Sequence, residues 1–502
     1  MGTAASEIPN PRRARETDTS STPWAYSFGS LDQGSLNLLG ALSYLEPGCI
    51  TQDVFERGNE RRFPSDLEFC SDESSFSVAL NKLLELGLVE QDRDSGNLSV
   101  QRSVQDQLKK FLSLENRQRH FHNAVRLLFD VFPREDVSQS QLYTHWELCN
   151  RYTQHVLNVK DCFVNESRVS ETFLPSWEFC NLLSSYERFL SETNSMTELE
   201  ALSAVNLEAL KRLPSNEIWV TFQRSDLEAA ILSHQAQAAE ALGRPLKAIE
   251  LNKQCYDIRK LQQEPPNNEL LCFAANNLGY CHNTANLHED AEKWYETSEA
   301  HWDTAVKNGE KSEDRPARHI QNHARCLVYL GKYDLAKEMF DISIPRLKSE
   351  KPTNWAMLAY ALFAQAIMNR RLKQFKVAEE IFTEAHNVWI EGDKMRAHPF
   401  YAACLYKIGA CCLDRGNVEA AIMRLRESLE IMKEQKEDRP VERARSIFKL
   451  SEALVRNNMG GSHVEATTLR EDAESILRKA NPPITKFDTE SAYDDLVPIF
   501  WR

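Results

Sequence analysis

The stretch from Phe273 to Asp303, FAANNLGYCHNTANLHEDAEKWYETSEAHWD, decides the fold. Leu278 and Gly279 fall inside a first apolar-periodic segment, Ala291 lies twelve residues beyond Gly279, and Tyr295 and Ser298 follow at helical spacing. That spacing predicts two antiparallel helices joined by a short turn. Small side chains at Gly279 and Ala291 let the two backbones approach closely, and the Tyr295 ring fills the gap toward the neighbouring hairpin.

Working outward, the alanines equivalent to Ala291 are Ala248, Ala336, Ala378, Ala421 and, past a Gly460-Gly461 insertion, Ala466. The steps along this series are 43, 45, 42, 43 and 45 residues. A fixed period of this size marks a solenoid. Five residues ahead of the alanine stand Gly243, Gly331 and Gly416, with Asn286 in the opening stretch. Both residue types accept the left-handed backbone that a helix end often needs. Four residues after it come Tyr295, Phe340, Phe382 and Leu425. The segment EDRP recurs at Glu313 to Pro316 and Glu437 to Pro440, and acids ahead of a proline start a helix well.

From Asp226 to about Leu477 these features resemble the tetratricopeptide repeat. The period exceeds the usual 34 residues, and with the NNLG wording it resembles the kinesin-light-chain type. The resemblance implies an all-α fold, a right-handed superhelix with a concave groove that takes extended peptides.

Bulk numbers bound the function. The chain has 502 residues, 42% of them hydrophobic, and a formal charge of −14. Such a length holds two to four domains or one extended array with ample cores. The charge argues against nucleic-acid or anionic-membrane binding, since both need a basic footprint. Twelve cysteines are scattered without CxxC pairs, and Cys281, Cys326, Cys404, Cys411 and Cys412 sit on apolar helix faces. Buried free thiols in a reducing compartment explain them, which places the chain in the cytoplasm, with the nucleus as the alternative. No run of 18 apolar residues occurs: Trp355 to Met368 and Tyr401 to Leu413 are interrupted by Gln365 and Lys407. A membrane span is therefore not expected.

Residues 1–27 are Pro, Ser, Thr and Arg-rich, and are expected to be disordered. Gly2 to Ser6 fits an N-myristoylation pattern, but Glu7 and the lack of a polybasic patch speak against acylation. Further on, Leu36 to Leu45 reads as a helix stopped by Pro47-Gly48, Thr51 caps a short second helix, and Phe76 to Leu86 gives a third stopped by Gly87. Leu88-Val89, a polar turn and Leu98 to Val100 then read as a β-hairpin. Three helices and a hairpin describe a winged helix. Its third helix carries only Lys82 as a basic residue, and Leu31 to Asp130 has 16 acidic against 11 basic residues, so DNA is not the expected partner.

Four runs extend the resemblance: Thr22 to Ile50, Ala79 to Gln105, Trp146 to Val159 (WELCNRYTQHVLNV) and Tyr493 to Arg502 (YDDLVPIFWR). They resemble the winged-helix, linker and closing segments of fungal NOD-like STAND NTPases. That family's nucleotide-binding domain would precede Trp24, where 23 residues stand, and no GxxxxGK[ST] phosphate loop occurs; Gly331-Lys332 belongs to a repeat turn. The reading is a sensor and relay without the ATP switch. The expected organisation is a disordered segment 1–27, a small winged-helix-like domain with one β-hairpin over 28–133, a degenerate helical linker 134–215, about six repeats over 216–480, and a C-terminal tail 481–502.

No catalytic constellation emerges. His319 and His323 are four apart, as in zinc sites, but Ile320 replaces the essential glutamate, and the pair reads as polar solvation. His120 with His122, and Cys272 with Cys281 and His282, match no metal spacing. No cofactor, metal, small-molecule substrate or enzymatic activity is expected.

Transferring the groove positions that the repeat resemblance implies selects Asn276, Tyr280, Asn283, Arg318, Gln321, Arg325, Tyr360, Phe363, Arg370, Arg371 and Tyr406. Phe273, Tyr329, Arg445, Phe448 and Arg456 share those offsets. An arginine- and aromatic-rich groove in an acidic protein suits a protein or peptide partner with acidic side chains, and the arginines are expected on a solvated face. The competing reading is that the arginines offset helix dipoles and the aromatics pack between repeats. The expected function is a non-enzymatic scaffold or adaptor. Two alternatives are an accessory regulator of transcription or of a metabolic pathway that uses the winged helix as its effector surface, and a fragment of a STAND NTPase from a truncated gene model.

Overall fold

The computed structural model describes residues 23–55, 63–134, 142–214, 218–312, 314–392, 398–435, 438–457, 462–483 and 485–502. The expectations for residues 1–22, for Gly460 and Gly461, and for Glu313 and Glu437 lie outside them. The chain divides into two compact units, one of residues 1–134 with 145–183, the other of 135–144 with 184–502. Among the described residues no helix is long and apolar enough to cross a membrane.

The first unit opens with α1 (Pro23–Gly29), which overlaps the last residues of the stretch 1–27 expected to be disordered. Phe28 is buried and stacks on Trp24, and that packing orders the helix. Helix α2 (Gln33–Leu42) starts at Asp32, whose carboxylate accepts the Ser35 N–H at 2.9 Å. It ends three residues earlier than its apolar spacing predicts. The carbonyls released by that early end are taken up by side chains: Gln105 donates to Leu42 and Leu45, and Asn158 to Tyr44 and Leu45. Two 3-10 segments, Gln52–Val54 and Ser65–Ser71, lead to α3 (Glu73–Glu85), capped by Asp72. The hairpin is present but its first strand is shifted: β1 is Glu90–Gln91 rather than Leu88-Val89, and it runs antiparallel to β2 (Leu98–Ser99), one residue shorter than expected, with Glu90 opposite Ser99. Helices α4 (Arg102–Phe111), α5 (Leu114–Val131) and α6 (Trp146–Val169) follow. Phe121 centres the core, within 6.2 Å of the rings of Tyr44, Phe163, Phe173 and Phe179. Helix α6 groups with this unit rather than with a linker because His155 and Asn158 bond to the backbone of residues 44–46.

The division falls within α7 (Trp177–Glu192). The second unit continues as α8 (Met196–Lys211), α9 (Ile218–Ala241), α10 (Pro245–Leu261), α11 (Asn268–Thr284), α12 (His288–Lys307), α13 (Ala317–Tyr329) and α14 (Tyr333–Ser349). After these come α15 (Trp355–Arg371), α16 (Phe375–Gly392), α17 (Pro399–Asp414), α18 (Val418–Lys433), α19 (Pro440–Asn457), α20 (Ser462–Ala480) and the short α21 (Glu490–Asp494).

One turn joins six of these hairpins. A residue with positive φ stands at Asn194, Gly243, Asn286, Gly331, Lys373 and Gly416. The next N–H closes on the carbonyl five residues back, at 2.8 to 2.9 Å in all six, for example Leu287 to His282 and Gln374 to Asn369. This is a Schellman cap, and it satisfies carbonyls the helix end would leave orphaned. The turn at Asn194 brings α7 and α8 into the series, one hairpin before the sequence period becomes readable. Glu187 fixes that hairpin, accepting from Asn206 at 2.8 Å and lying 2.9 Å from His234 Nδ1, all three side chains buried.

The period alanines Ala248, Ala291, Ala336, Ala378, Ala421 and Ala466 are all buried. A β-carbon on Gly279 would lie 2.8 Å from the Tyr295 ring, and one on Gly409 2.9 Å from Leu425. Close helix approach at these two glycines is thus obligatory.

Candidate functional site

The first helices of five successive hairpins, α11, α13, α15, α17 and α19, line one inner face, and residues 490–502 of the chain lie on it. Its centre is an ion cluster. Arg370 grips Glu490 with two parallel bonds of 2.6 and 2.8 Å, and turns its Nε to Asp414 at 2.7 Å. Glu490 also accepts from the Tyr406 hydroxyl at 2.9 Å and pairs with Lys449 at 2.8 Å. One helical turn on, Asp494 meets Lys407 at 3.0 Å and Arg445 at 2.9 Å. Arg445 further donates to the Trp501 carbonyl and lies 4.3 Å from the centre of the Tyr406 ring.

Burial alone would raise the Glu490 carboxyl, but Arg370, Lys449 and Lys407 overrule it and hold the group well below the usual range. Asp494 is lowered in the same way, its burial outweighed by Lys407 and Arg445. Lys407 shows the opposite balance: burial pushes its ammonium down to about 8, against the pull of Asp494 and Glu490. Charges this buried persist only with partners.

An aromatic cluster adjoins the ions. Phe500 stacks on Tyr280 at 4.6 Å and on Tyr360 at 4.5 Å, with the Arg325 guanidinium 4.5 Å from its ring centre. Trp501 donates to Glu442 at 3.3 Å and meets His398 edge-on. Arg502 is buried and donates to the carbonyls of Val497 and Thr284 and to Asn286. Tyr493 stacks on Phe448 at 4.6 Å.

Of the residues selected from the sequence, Tyr280, Arg325, Tyr360, Arg370 and Tyr406 touch this segment. Arg325 is buried and Arg370 largely so, not solvated as expected, because Phe500 and Glu490 cover them. Asn276, Asn283 and Gln321 are buried in contacts among the helices: Asn322 reaches Asn276, Asn283 meets His288, and Gln321 accepts from Arg325. Phe363 sits in the core, 5.0 Å from Phe382 and 5.1 Å from Phe400. Arg318 lies over Phe273, and Arg371 over Tyr329. His319 and His323 are buried rather than solvated, His319 against Cys272 and His323 against Glu299. Among the described residues no group of three or more His, Cys, Asp or Glu is placed to hold a metal.

Lys407, Lys449 and Glu442 escaped the sequence reading. Lys407 left a signal, since a lysine inside an otherwise apolar run needs a buried counter-charge.

Residues 26–117 match the model of a domain of unknown function (DUF7779), and residues 357–434 match the tetratricopeptide repeat model. The latter span is α15 to α18, so these hairpins are tetratricopeptide repeats. No curated protein sequence gives a significant match. Among solved structures, the chain is similar to a STAND (signal transduction ATPase with numerous domains) protein with a tetratricopeptide repeat sensor from Pyrococcus horikoshii. The identity is 15%, over 90% of this chain and 65% of that one, with a TM-score of 0.41. It is also similar to a Rap protein complexed with competence and sporulation factor, at 12% identity over 72% and 95% of the two chains and a TM-score of 0.44. Aspartyl phosphate phosphatase F from Bacillus subtilis gives 13% identity over 74% and 85%, also at 0.44. The chain thus spans less than two thirds of the length of the Pyrococcus protein.

Proposed function

We propose that this chain is a protein-interaction scaffold whose inner repeat face takes a peptide segment bearing carboxylates and an aromatic anchor, and that residues 490–502 hold that face until a partner replaces them. One observation carries the reading. Five successive first helices direct Tyr280, Arg325, Tyr360, Arg370, Tyr406, Lys407 and Arg445 at a single segment with two carboxylates one helical turn apart and an aromatic pair beyond them. Bidentate arginine and stacked rings are the usual anchors of a peptide interface.

The test uses a labelled peptide spanning residues 486–502 and the full chain. Unaltered protein should bind it poorly, because its own segment competes. A chain with Glu490→Lys and Phe500→Ala should bind at least tenfold more tightly, with an affinity that falls as salt rises. Melting curves of both proteins exclude unfolding as the cause. A folded double variant that ignores the peptide would overturn the proposal.

A further inference from the structure

Between α21 and the ends of α13 and α15 lies a pocket of about 410 Å³, within the roughly 300–1,000 Å³ typical of small-molecule sites. Most of the carboxylates on its wall are already engaged: Asp414 and Glu490 by Arg370, and Asp494 by Lys407 and Arg445. Three of its cations, Arg371, Lys373 and Arg502, have no carboxylate ion pair among the described residues. Asp495 alone stands against them on the wall.

The arrangement of these cations is unusual in two independent ways. The guanidinium carbons of Arg371 and Arg502 share one ring, 4.4 and 5.7 Å from the centre of Tyr329. Two like charges on one aromatic repel each other, and Asp495 is the one described carboxylate left to act on both. Arg502 cannot retreat, because Val497, Thr284 and Asn286 fix its guanidinium.

The second observation is in the backbone. Of the six Schellman turns that join the two helices of a hairpin, five place glycine or asparagine at the left-handed position, and the sixth places Lys373 there with φ 60°. A lysine is strained in that conformation. The one turn that keeps it is the one whose side chain lines the pocket.

We infer that this pocket binds a compact oxyanion, a phosphate or carboxylate group carried on a small molecule, clasped by Arg371 and Lys373 beside the rings of Tyr329 and Phe375, with the fixed guanidinium of Arg502 adding its charge. A guanidinium and an ammonium are the usual donors to such groups. Arg502 belongs to the covering segment, and Arg371 and Lys373 to the repeats. The anion therefore ties the segment to the helices and opposes its displacement, a consequence that rests on the peptide-binding reading above, whereas the pocket itself does not.

Calorimetric titration of the full chain with pyrophosphate, and separately with citrate, tests the site and tells the two anion sources apart. Saturable binding of at least one, weakened tenfold or more by Lys373→Gly and by Arg371→Gln, is the expected result. Lys373→Gly guards against misfolding, because it relieves backbone strain. It should raise the melting temperature without anion and abolish the further rise that anion gives the unaltered protein. Binding of neither anion, or equal binding by all three proteins, overturns the inference. The peptide titration answers separately: it can succeed where pyrophosphate and citrate fail, and fail where they succeed.

Discussion

At the α11–α13 end of the inner face, Arg318 is half-buried and lies 5.1 Å over Phe273. At the α15–α19 end, Arg370, Lys407 and Arg445 are buried or nearly so, and each meets a carboxylate of residues 490–502. The same repeat positions thus supply cations in two regimes. Near solvent, the cation keeps part of its water beside an aromatic plane. Where residues 490–502 remove the water, Arg370, Lys407 and Arg445 find opposite charge in Glu490 and Asp494, one helical turn apart, whereas buried Arg325 is partnered by Gln321, the Tyr360 carbonyl and the Phe500 ring.

The largest effect that would break this contrast is Glu490→Gln. It leaves Arg370, Lys407 and Lys449 facing a neutral amide, and losing one partner of a buried pair costs about 3–5 kcal/mol. Residues 490–502 should lose their hydrogen-exchange protection while α11 to α20 keep theirs.

Acid should affect both ends through histidine and spare the ion cluster. Burial, aided by Arg439, pushes His398 down to about 3, and burial with Arg318 and Arg315 holds His319 well below its ordinary value. Below pH 6.5 the unfolded chain takes up protons that these folded histidines refuse. Stability should therefore fall as the pH drops, on the order of 1 kcal/mol per histidine for each unit of pH. Glu240, pushed up to about 7 by burial, works in the opposite direction and offsets one of them. Glu490 and Asp494 are depressed, so their contribution persists until the pH falls below the ordinary carboxylate range. A calorimetric pH series should show a falling melting temperature from pH 6.5 to 5, and exchange of residues 490–502 should stay slow throughout.

A reciprocal swap comes next in size. Lys373→Gly should stabilise the fold by about 1 kcal/mol and Gly331→Lys should destabilise it by about as much, because a β-carbon in the left-handed region costs roughly that. Urea midpoints measure both. The smallest effect expected is that of Arg318→Gln, about 0–1 kcal/mol, the usual worth of a partly exposed charge and its pairings. A loss near that of Glu490→Gln would erase the distinction between the two ends.

Much of the repeat unit was legible because its punctuation is chemical. Gly243, Asn286, Gly331 and Gly416 mark turns that need positive φ, and the alanines mark where helices touch. Legibility failed where a different residue accepts the same geometry: Lys373 conceals one turn, and Asn194 opens a hairpin whose helices carry no clear period. The face itself was half legible. Repeat offsets located Tyr280, Arg325, Tyr360, Arg370 and Tyr406, but nothing local says that Phe500 and Glu490, more than a hundred residues away from Arg370, cover them. Lys407 was read as an interruption of an apolar run because its partners are tertiary. Helix α6 was misassigned for the same reason, since its ties to residues 44–46 are made by His155 and Asn158 across the fold.

The order of synthesis gives the covering segment a timetable. Glu490 leaves the ribosome 120 residues after Arg370, which at about 5–20 residues per second is a delay of roughly 6–24 s. During that interval the hairpins from α11 to α18 can close while the arginine face is still wet and uncovered. A partner held near the translating ribosome meets this face without a competitor, whereas one arriving later must first displace it.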